Sequence, residues 1–395
     1  MNGEPLTQTA VLLVLGLLFL VGLAADLLGR HSPLPRVTLL IVSGVAVGPA
    51  GFGLLPAAFI DDWFPLLSGV ALALIGFLLG QDVSRAVLSR RGLSVLVVAV
   101  TKPLGAALTV AAALLLTGVE PLVALVLAGI ATTTAPAATW DVVHESGAGG
   151  EFADTLLSVV ALDDVTGLLA FALILAFAVT LGTDAGGAAV LTSGLVDIGG
   201  SVLLGGALGV PMAYLTGRIS RGEPTLAEAL GFVLLAAGLA QTLSLTPILT
   251  TMTMGSVVAG LARHHTRPFS AIEGIEWPFM ILFFVLAGAS LDLAAVQAVS
   301  AVTLVYVVAR TFGTYAGAFG GAAMTGAERS VRNWLGLALL PQAGVAIGMA
   351  LVASQRLPAI ADIVLPTVLT ATIVFEIVAP VITRRALRQS RASRH

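Results

Sequence analysis

The chain contains no cysteine and few charged residues, and both absences restrict what it can be. Without cysteine among its 395 residues, it has no disulfide bonds, thiol catalysis or cysteine metal sites. Only 10% of its residues are charged, whereas a soluble domain has about 25%. So few charges cannot cover a water-exposed surface, and 57% of the residues are hydrophobic. The composition excludes a soluble enzyme, a nucleic-acid-binding protein and a disordered chain, and it indicates an integral membrane protein.

The apolar residues fall into segments of the length that crosses a bilayer. A spanning helix needs roughly 20 mostly apolar residues. The first segment lacks a basic leader and a small-residue cleavage site, so we interpret it as a retained helix rather than a signal peptide. We predict an all-α polytopic membrane protein with 13 transmembrane helices, over residues 6–28, 34–58, 64–84, 93–117, 120–144, 152–181, 194–219, 226–242, 247–263, 275–292, 296–324, 331–353 and 361–386.

The basic residues predict the orientation of these helices. If the N-terminus is outside, 16 of the 19 Lys and Arg residues lie in cytoplasmic loops or the C-terminal tail. Only Arg356 lies outside, and Lys102 and Arg310 lie within helices. Cytoplasmic loops of membrane proteins carry an excess of Lys and Arg. The distribution therefore predicts an N-out, C-in topology, with the cytoplasmic Arg clusters contacting anionic lipid.

The two halves of the chain are weakly similar to each other. The second to sixth predicted helices match the ninth to thirteenth, and the two copies start on opposite sides of the membrane. Inverted repeats are typical of secondary transporters, whose site lies at mid-membrane between the copies. The matched pairs are Gly48 with Gly260, Asp82 with Asp292, Lys102 with Arg310, and Gly129 with Gly336.

Five ionisable residues lie near the centre of their predicted helices. Each costs roughly 2.5–3.5 kcal/mol or more if it is unpaired in the bilayer. Two adjacent carboxylates cannot both ionise cheaply without a cation, so Asp163 and Asp164 are the main candidates for ion binding. Lys102 and Glu376 are secondary candidates, because each also fits a packing role in which it pairs with a helix end. Arg310 completes the set.

Two further helices are interrupted at corresponding positions of the repeats. The interruptions read "TTTAPA" and "LPQAG", and proline removes a helix hydrogen bond and clashes with the preceding turn. Irregular backbone at this depth is tolerated where it lines a cavity or opposes charges. The residues at these two breaks are Thr132, Thr133, Thr134, Pro136, Pro341 and Gln342, and we expect them to lie near the same membrane depth as the paired aspartates.

Together these features resemble monovalent cation/proton antiporters of the paired-aspartate branch, which includes NapA-like Na+/H+ antiporters. The resemblance covers nearly the whole chain. It rests on "GRHSPLPRVTLLIVSGVAVGPAGFGLLP", "TTTAPAATWDVV", "ALDDVTGLL", "FFVLAGASLDL", "ARTFGT", "LALLPQAGVAIGMAL" and "VFEIVAPVITRRAL". It implies an NhaA/NapA-like fold with crossed discontinuous helices and a homodimer of multi-pass protomers in a cell membrane, and the source is expected to be prokaryotic.

The resemblance also implies a division of the chain into parts. A scaffold and dimerisation domain would comprise 1–92 and 221–295, and a core ion-transport domain 93–192 and 296–388. A linker helix would span 193–220, and 389–395 would form a basic cytoplasmic tail. Because the chain stops soon after the last predicted span, a cytosolic nucleotide-binding domain is not expected.

By motif position, the resemblance makes Asp164 the ion-binding carboxylate and pairs Asp163 with Arg310. The monovalent cation would contact Asp164, Asp163, Thr132 and Thr133. Two departures stand out. Electrogenic members usually have Lys where Arg310 stands, and many relatives carry "PRGE" where this chain has "PQAG".

The predicted activity is exchange of Na+ or Li+ for protons by alternating access, with no cofactor beyond the transported Na+, Li+ or K+ and H+. Arginine effectively cannot lose its proton, so a pair of Asp163 with Arg310 favours one proton per cation, carried by Asp164. A K+/H+ antiporter of the same fold and a sodium-coupled organic solute symporter remain alternatives. An intramembrane protease is disfavoured because both aspartates lie on one helix.

The histidines yield one minor hypothesis. His144 lies beside Glu145 and near Glu151, at the predicted cytoplasmic end of a helix. Histidine titrates near neutral pH, so this group is a candidate pH sensor, although ordinary interfacial positions are the preferred interpretation of the histidines.

Overall fold

The structure is a computed structural model, and the residues it describes are helical or connect helices. No strand occurs in these ranges. The all-α prediction is therefore confirmed for the described part of the chain. The ranges are 8–31, 36–88, 93–135, 139, 142–143, 150–181, 187–216, 225–262, 266–291, 293–342 and 344–392.

The helices of the first half include one that is short and ends abruptly inside a predicted span, at Ile130. They are α1 (Gln8–His31), α2 (Arg36–Val47), α3 (Ala57–Leu88), α4 (Leu93–Leu116), α5 (Pro121–Ile130), α6 (Glu151–Leu181) and α7 (Gly187–Thr216).

The second half has a similar short helix that ends at Ala338. Its helices are α8 (Thr225–Thr242), α9 (Pro247–Leu261), α10 (Thr266–Ala289), α11 (Leu293–Ala298), α12 (Ser300–Met324), α13 (Arg329–Ala338), α14 (Gly344–Arg356) and α15 (Ala361–Ala392), with a single 3-10 turn at Pro358–Ile360.

Eight helical segments of the described residues are long and apolar enough to cross a membrane. Shorter apolar helices include Val37–Val47, Pro121–Ile130, Thr166–Val179 and Pro247–Leu261. The count of 13 spans and the N-out orientation stay predictions. The eight segments are Val11–Gly29, Ala57–Gln81, Leu93–Leu116, Val196–Thr216, Thr225–Thr242, Arg267–Ala289, Ser300–Met324 and Pro358–Ser390.

The chain forms two compact units. The first comprises Met1–Gln81 and Ser201–Gln297, and the second comprises Asp82–Gly200 and Ala298–His395. The predicted linker, 193–220, overlaps α7 over residues 193–216, and the chain passes from the second unit to the first along this helix. The roles of scaffold and core stay predictions.

The first unit packs around a buried cluster from α3, α7, α8, α9 and α10. The Phe77 and Phe269 rings stack within it, with centroids 4.6 Å apart. On α1, by contrast, Leu12 and Leu13 are about 70% exposed. Apolar side chains exposed in this way are suited to lipid rather than to water.

The second unit is built on the close packing of α4 against α12. Along α12, Gly313, Gly317 and Gly321 meet Gly105, Thr101 and Val98 in turn, so the two helices are antiparallel. A Cβ atom at Gly105 would lie 2.6 Å from the Gly313 carbonyl oxygen, closer than atoms can approach. Small residues therefore allow this contact, as is common between membrane helices. The contact places the middle of α4 beside the middle of α12.

Candidate functional site

The first helix break lies where α5 ends. Residues 131–135 are not helical, and the three threonines Thr132, Thr133 and Thr134 are buried. The Thr132 hydroxyl donates to the carbonyl oxygens of Gly129 and Gly167. The Thr133 hydroxyl donates to the Ile130 oxygen at 3.2 Å. The predicted break is present, while its proline, Pro136, lies outside the described residues.

The second break lies between α13 and α14. α13 ends at Ala338, residues 340–342 are not helical, and Pro341 supplies no backbone N–H. The Ala135 amide donates to the Pro341 oxygen at 2.8 Å, and the Thr134 hydroxyl donates to the Leu339 oxygen at 3.1 Å. The two breaks are therefore in direct contact.

Lys102 contacts the first break from the middle of α4. Its ammonium donates to the Thr132 oxygen at 2.7 Å, to the Thr134 hydroxyl at 2.7 Å and to Asp163 Oδ2 at 2.6 Å. Both charged side chains are fully buried. A buried charge is tolerated when it is paired and hydrogen-bonded, and this ammonium has an acceptor for each of its three protons.

The structure does not contain the expected ion pair between Asp163 and Arg310. Asp163 pairs with Lys102 instead. The reason is the register of α4 against α6. The Thr166 hydroxyl, one turn after Asp163, donates to the Ala99 oxygen, one turn before Lys102, at 2.8 Å. This bond holds the lysine opposite the aspartate. Arg310 still interacts with Asp163 electrostatically, without a direct contact.

Arg310 instead joins the two breaks. Its guanidinium donates to the Thr133 oxygen at 2.6 Å and to the Leu340 oxygen at 2.9 Å, and it lies 4.4 Å from the centre of the Phe375 ring. Both carbonyls follow a helix C-terminus, where the helix dipole and unpaired oxygens favour a cation. Arg310 thus balances the negative ends of α5 and α13.

The two basic residues occupy corresponding places in the predicted internal repeat. Arg310 lies 208 residues after Lys102, and Leu340, whose oxygen accepts from Arg310, lies 208 residues after Thr132, whose oxygen accepts from Lys102. Each repeat therefore supplies one cation to the carbonyl of its own break. The second copy differs because its arginine also contacts the other break.

The Asp163 carboxylate has one oxygen without a hydrogen-bond partner among the described residues. Asp163 Oδ1 is buried and has no hydrogen-bond partner in the described part of the structure. Asp164 follows in the same helix, roughly 100° around its axis, but its side chain lies outside the described residues. An unpaired carboxylate oxygen beside a second aspartate suits a proton or a metal cation.

The structure also describes the positions of Glu376 and Glu151. Glu376 is buried on α15 and follows Phe375, which contacts Arg310. Glu151 is exposed at the start of α6, whereas His144 and Glu145 lie outside the described residues.

Gln342 has a partner that the sequence interpretation missed. Its amide nitrogen donates to the Tyr306 hydroxyl at 2.9 Å and to the Ile130 oxygen at 3.4 Å. Tyr306 precedes Arg310 by one helical turn, so the i, i+4 spacing along α12 was the available signal.

Comparison with solved structures identifies a similar fold. A structure of the sodium proton antiporter MjNhaP1 from Methanocaldococcus jannaschii at pH 8 is 18% identical, covers 96% of both chains and has a TM-score of 0.74. An electron-microscopy structure of the same antiporter is 16% identical, with 98% of both chains covered and a TM-score of 0.74. No curated protein sequence matches the chain significantly.

A family comparison covers nearly the whole chain. The family described as "Sodium/hydrogen exchanger, transmembrane" matches residues 14–389. The match confirms the predicted transporter superfamily and the multi-pass membrane localisation, and it agrees with the buried charges at the helix breaks. The chain therefore belongs to the sodium/hydrogen exchanger family.

Proposed function

We propose that the protein exchanges a monovalent cation, Na+ or Li+ first, for protons by alternating access. The observation that carries the proposal is the buried pair of Lys102 and Asp163 at the contact of the two helix breaks. Burying a charged pair at this depth costs free energy, so such a pair indicates a role in transport or structure. Here one carboxylate oxygen of the pair remains available.

The oxygens around the Lys102 ammonium are those a cation requires. Asp163 Oδ2, the Thr132 carbonyl and the Thr134 hydroxyl lie 2.6–2.7 Å from its nitrogen. Hard monovalent cations prefer such oxygen ligands. We propose that the cation binds at Asp164 and Asp163 with Thr132, while the lysine ammonium withdraws. Thr133 contributes through its hydroxyl, which retains acceptor capacity while it donates to Ile130.

Competition couples the two transported ions. A protonated Asp164 presents no negative charge to the cation, and a bound cation disfavours the protonated form. The apparent KM for the cation therefore rises as the pH falls. Movement that exposes this site to each side in turn then exchanges the ions.

The partner of Asp163 changes the expected stoichiometry. A lysine loses its proton far more readily than an arginine does. When a cation replaces the Lys102 ammonium at Asp163, the uncompensated buried lysine releases a proton in addition to that from Asp164. We therefore propose two protons per cation and voltage-dependent exchange, in place of the one-to-one exchange that an Arg310 pair favoured.

The domain roles and the assembly are proposed from the family resemblance. We propose a homodimer in which 1–92 and 221–295 form the scaffold and 93–192 and 296–388 form the core. Crosslinking in native membranes tests the dimer independently of transport.

A proteoliposome assay tests the function. The purified protein is reconstituted with an internal pH dye, and dissipation of an imposed ΔpH is recorded with Na+, Li+, K+ and choline across pH. We expect Na+ or Li+ to dissipate the gradient and Asp164→Asn to abolish the response. A response to K+ alone would favour the K+/H+ alternative, and full exchange by Asp164→Asn would contradict the proposed site.

A further inference from the structure

A second, uncharged connection joins the two helix breaks one turn away from Arg310. The Gln342 amide nitrogen donates to the Tyr306 hydroxyl at 2.9 Å and to the Ile130 oxygen at 3.4 Å. Tyr306 is 0% and Gln342 1% exposed. Tyr306 comes from α12, Gln342 from the second break, and Ile130 is the last residue of α5.

The Ile130 oxygen is one of the carbonyls that a helix leaves without an intrahelical donor at its C-terminus, and it accepts from the Thr133 hydroxyl at 3.2 Å as well as from Gln342. In this chain the neighbouring carbonyls have their own donors: Thr132 at the Gly129 oxygen, Lys102 at the Thr132 oxygen and Arg310 at the Thr133 oxygen. Gln342 is the group from the second break that donates to the end of α5. The position of Ile130 in turn determines where Thr132 and its neighbours lie.

Because Tyr306 and Arg310 are four residues apart, their side chains leave the same face of α12. That face thus contacts the crossing at two levels, about 6 Å apart along the helix axis. Arg310 supplies charge at one level. At the other, Tyr306 supplies a hydroxyl that orients the Gln342 amide without adding a second buried charge, which would be costly beside the first.

We propose that Tyr306 and Gln342 form a neutral clamp that positions the threonine oxygens of the cation site, with Tyr306 as a positioning residue. This inference rests on the proposed function for its consequence in transport. The clamp itself is a property of the break and is measurable without transport.

The transport readout is the apparent KM for Na+ in proteoliposomes. Tyr306→Phe and Gln342→Leu each remove one member of the clamp and keep its approximate volume. We expect each to raise the KM by up to about tenfold, the worth of one hydrogen bond, while kcat changes much less. Because the two residues act together, the double variant should resemble either single one. Tyr315→Phe, on the same helix beside Phe319, is the matched control.

Hydrogen–deuterium exchange tests the clamp independently. In both variants, amides of residues 130–135 should exchange several-fold faster than in the wild type, with no change in α8, which serves as internal reference. Unchanged amide exchange at residues 130–135 in the variants would overturn the inference. So would additive effects of the two substitutions on the KM, or a lower kcat with an unchanged KM. If the wild-type protein transports no cation in proteoliposomes, the proposed function fails. The protection of amides 130–135 from hydrogen–deuterium exchange then decides alone whether the clamp exists.

Discussion

Lys102 Nζ lies 2.6 Å from Asp163 Oδ2, and neither side chain is exposed. Both groups have given up their hydration, so each depends on the other and on the oxygens of Thr132 and Thr134. The pair is therefore a structural element and the centre of the proposed transport site at the same time. Its two roles are separable by substitution.

Removal of the lysine should destabilise the protein strongly. Lys102→Met leaves Asp163 charged and unpaired in the interior, at a cost of about 3–5 kcal/mol. Adding Asp163→Asn to this variant should recover most of the lost stability, since the unpaired carboxylate charge is then removed. Thermal unfolding in detergent measures both effects.

The ion pair of Arg356 with Asp197 supplies the control for this prediction. Its atoms are 3.1 Å apart, and its side chains are 26% and 10% exposed. Partial exposure reduces the expected loss for Arg356→Met to about 1 kcal/mol or less. Equal losses in Lys102→Met and Arg356→Met would contradict the account of the buried pair.

Replacement of Lys102 by arginine should separate charge from proton release. Lys102→Arg retains a cation near Asp163 but provides a group that effectively cannot lose its proton. We expect slower exchange that no longer responds to an imposed membrane potential. Exchange in proteoliposomes with a potassium diffusion potential measures this, with Arg356→Lys as a charge-conserving control. Persisting voltage dependence in Lys102→Arg would show that the second proton comes from elsewhere.

Arg310 should not tolerate lysine, although the charge is conserved. A lysine has no planar fork that reaches the Thr133 and Leu340 oxygens together. One buried carbonyl is left unpaired, which costs about 1–3 kcal/mol. Thermal unfolding of Arg310→Lys should show this loss. Arg332→Lys, at a position 5.7 Å from the Phe319 ring, should show much less.

Gly105 should be intolerant of any side chain. Its added Cβ would lie 2.6 Å from the Gly313 oxygen. The next nearest atoms are backbone atoms of Gly317, so no flexible side chain can move aside. We expect Gly105→Ala to lower stability by about 1–3 kcal/mol. Gly320→Ala on α12 meets no atom within 4 Å and should be neutral or slightly stabilising. Similar unfolding temperatures for both variants would contradict the close α4–α12 packing.

Local signals in the sequence predicted the helix breaks and the buried charges beside them. A proline in an apolar segment interrupts a helix wherever that helix lies, and a charge in the bilayer requires a partner. The break at Pro341, the helical context of Asp163 and the buried state of Arg310 were accordingly predictable. The all-α architecture followed from the same apolar segments.

The choice of partner for Asp163 was not predictable in this way. Lys102 and Arg310 occupy corresponding positions in the two repeats, so the pattern offered both. Their difference lies in lateral packing, where the bond from Thr166 to Ala99 sets the register of α6 against α4. Hydropathy contains no information on that register. Tyr306 was missed because it carries no charge.

In the proposed mechanism, a cation and protons compete for the carboxylates at Asp163 and Asp164. The release of protons when the cation binds tests this competition. Na+ is added to the purified protein in weakly buffered detergent solution, while a pH dye counts released protons and calorimetry measures binding. For each bound cation, one proton from Asp164 and one from Lys102 should be released, and Asp164→Asn should show neither cation binding nor proton release. Cation binding without proton release, or wild-type release by Asp164→Asn, would contradict it.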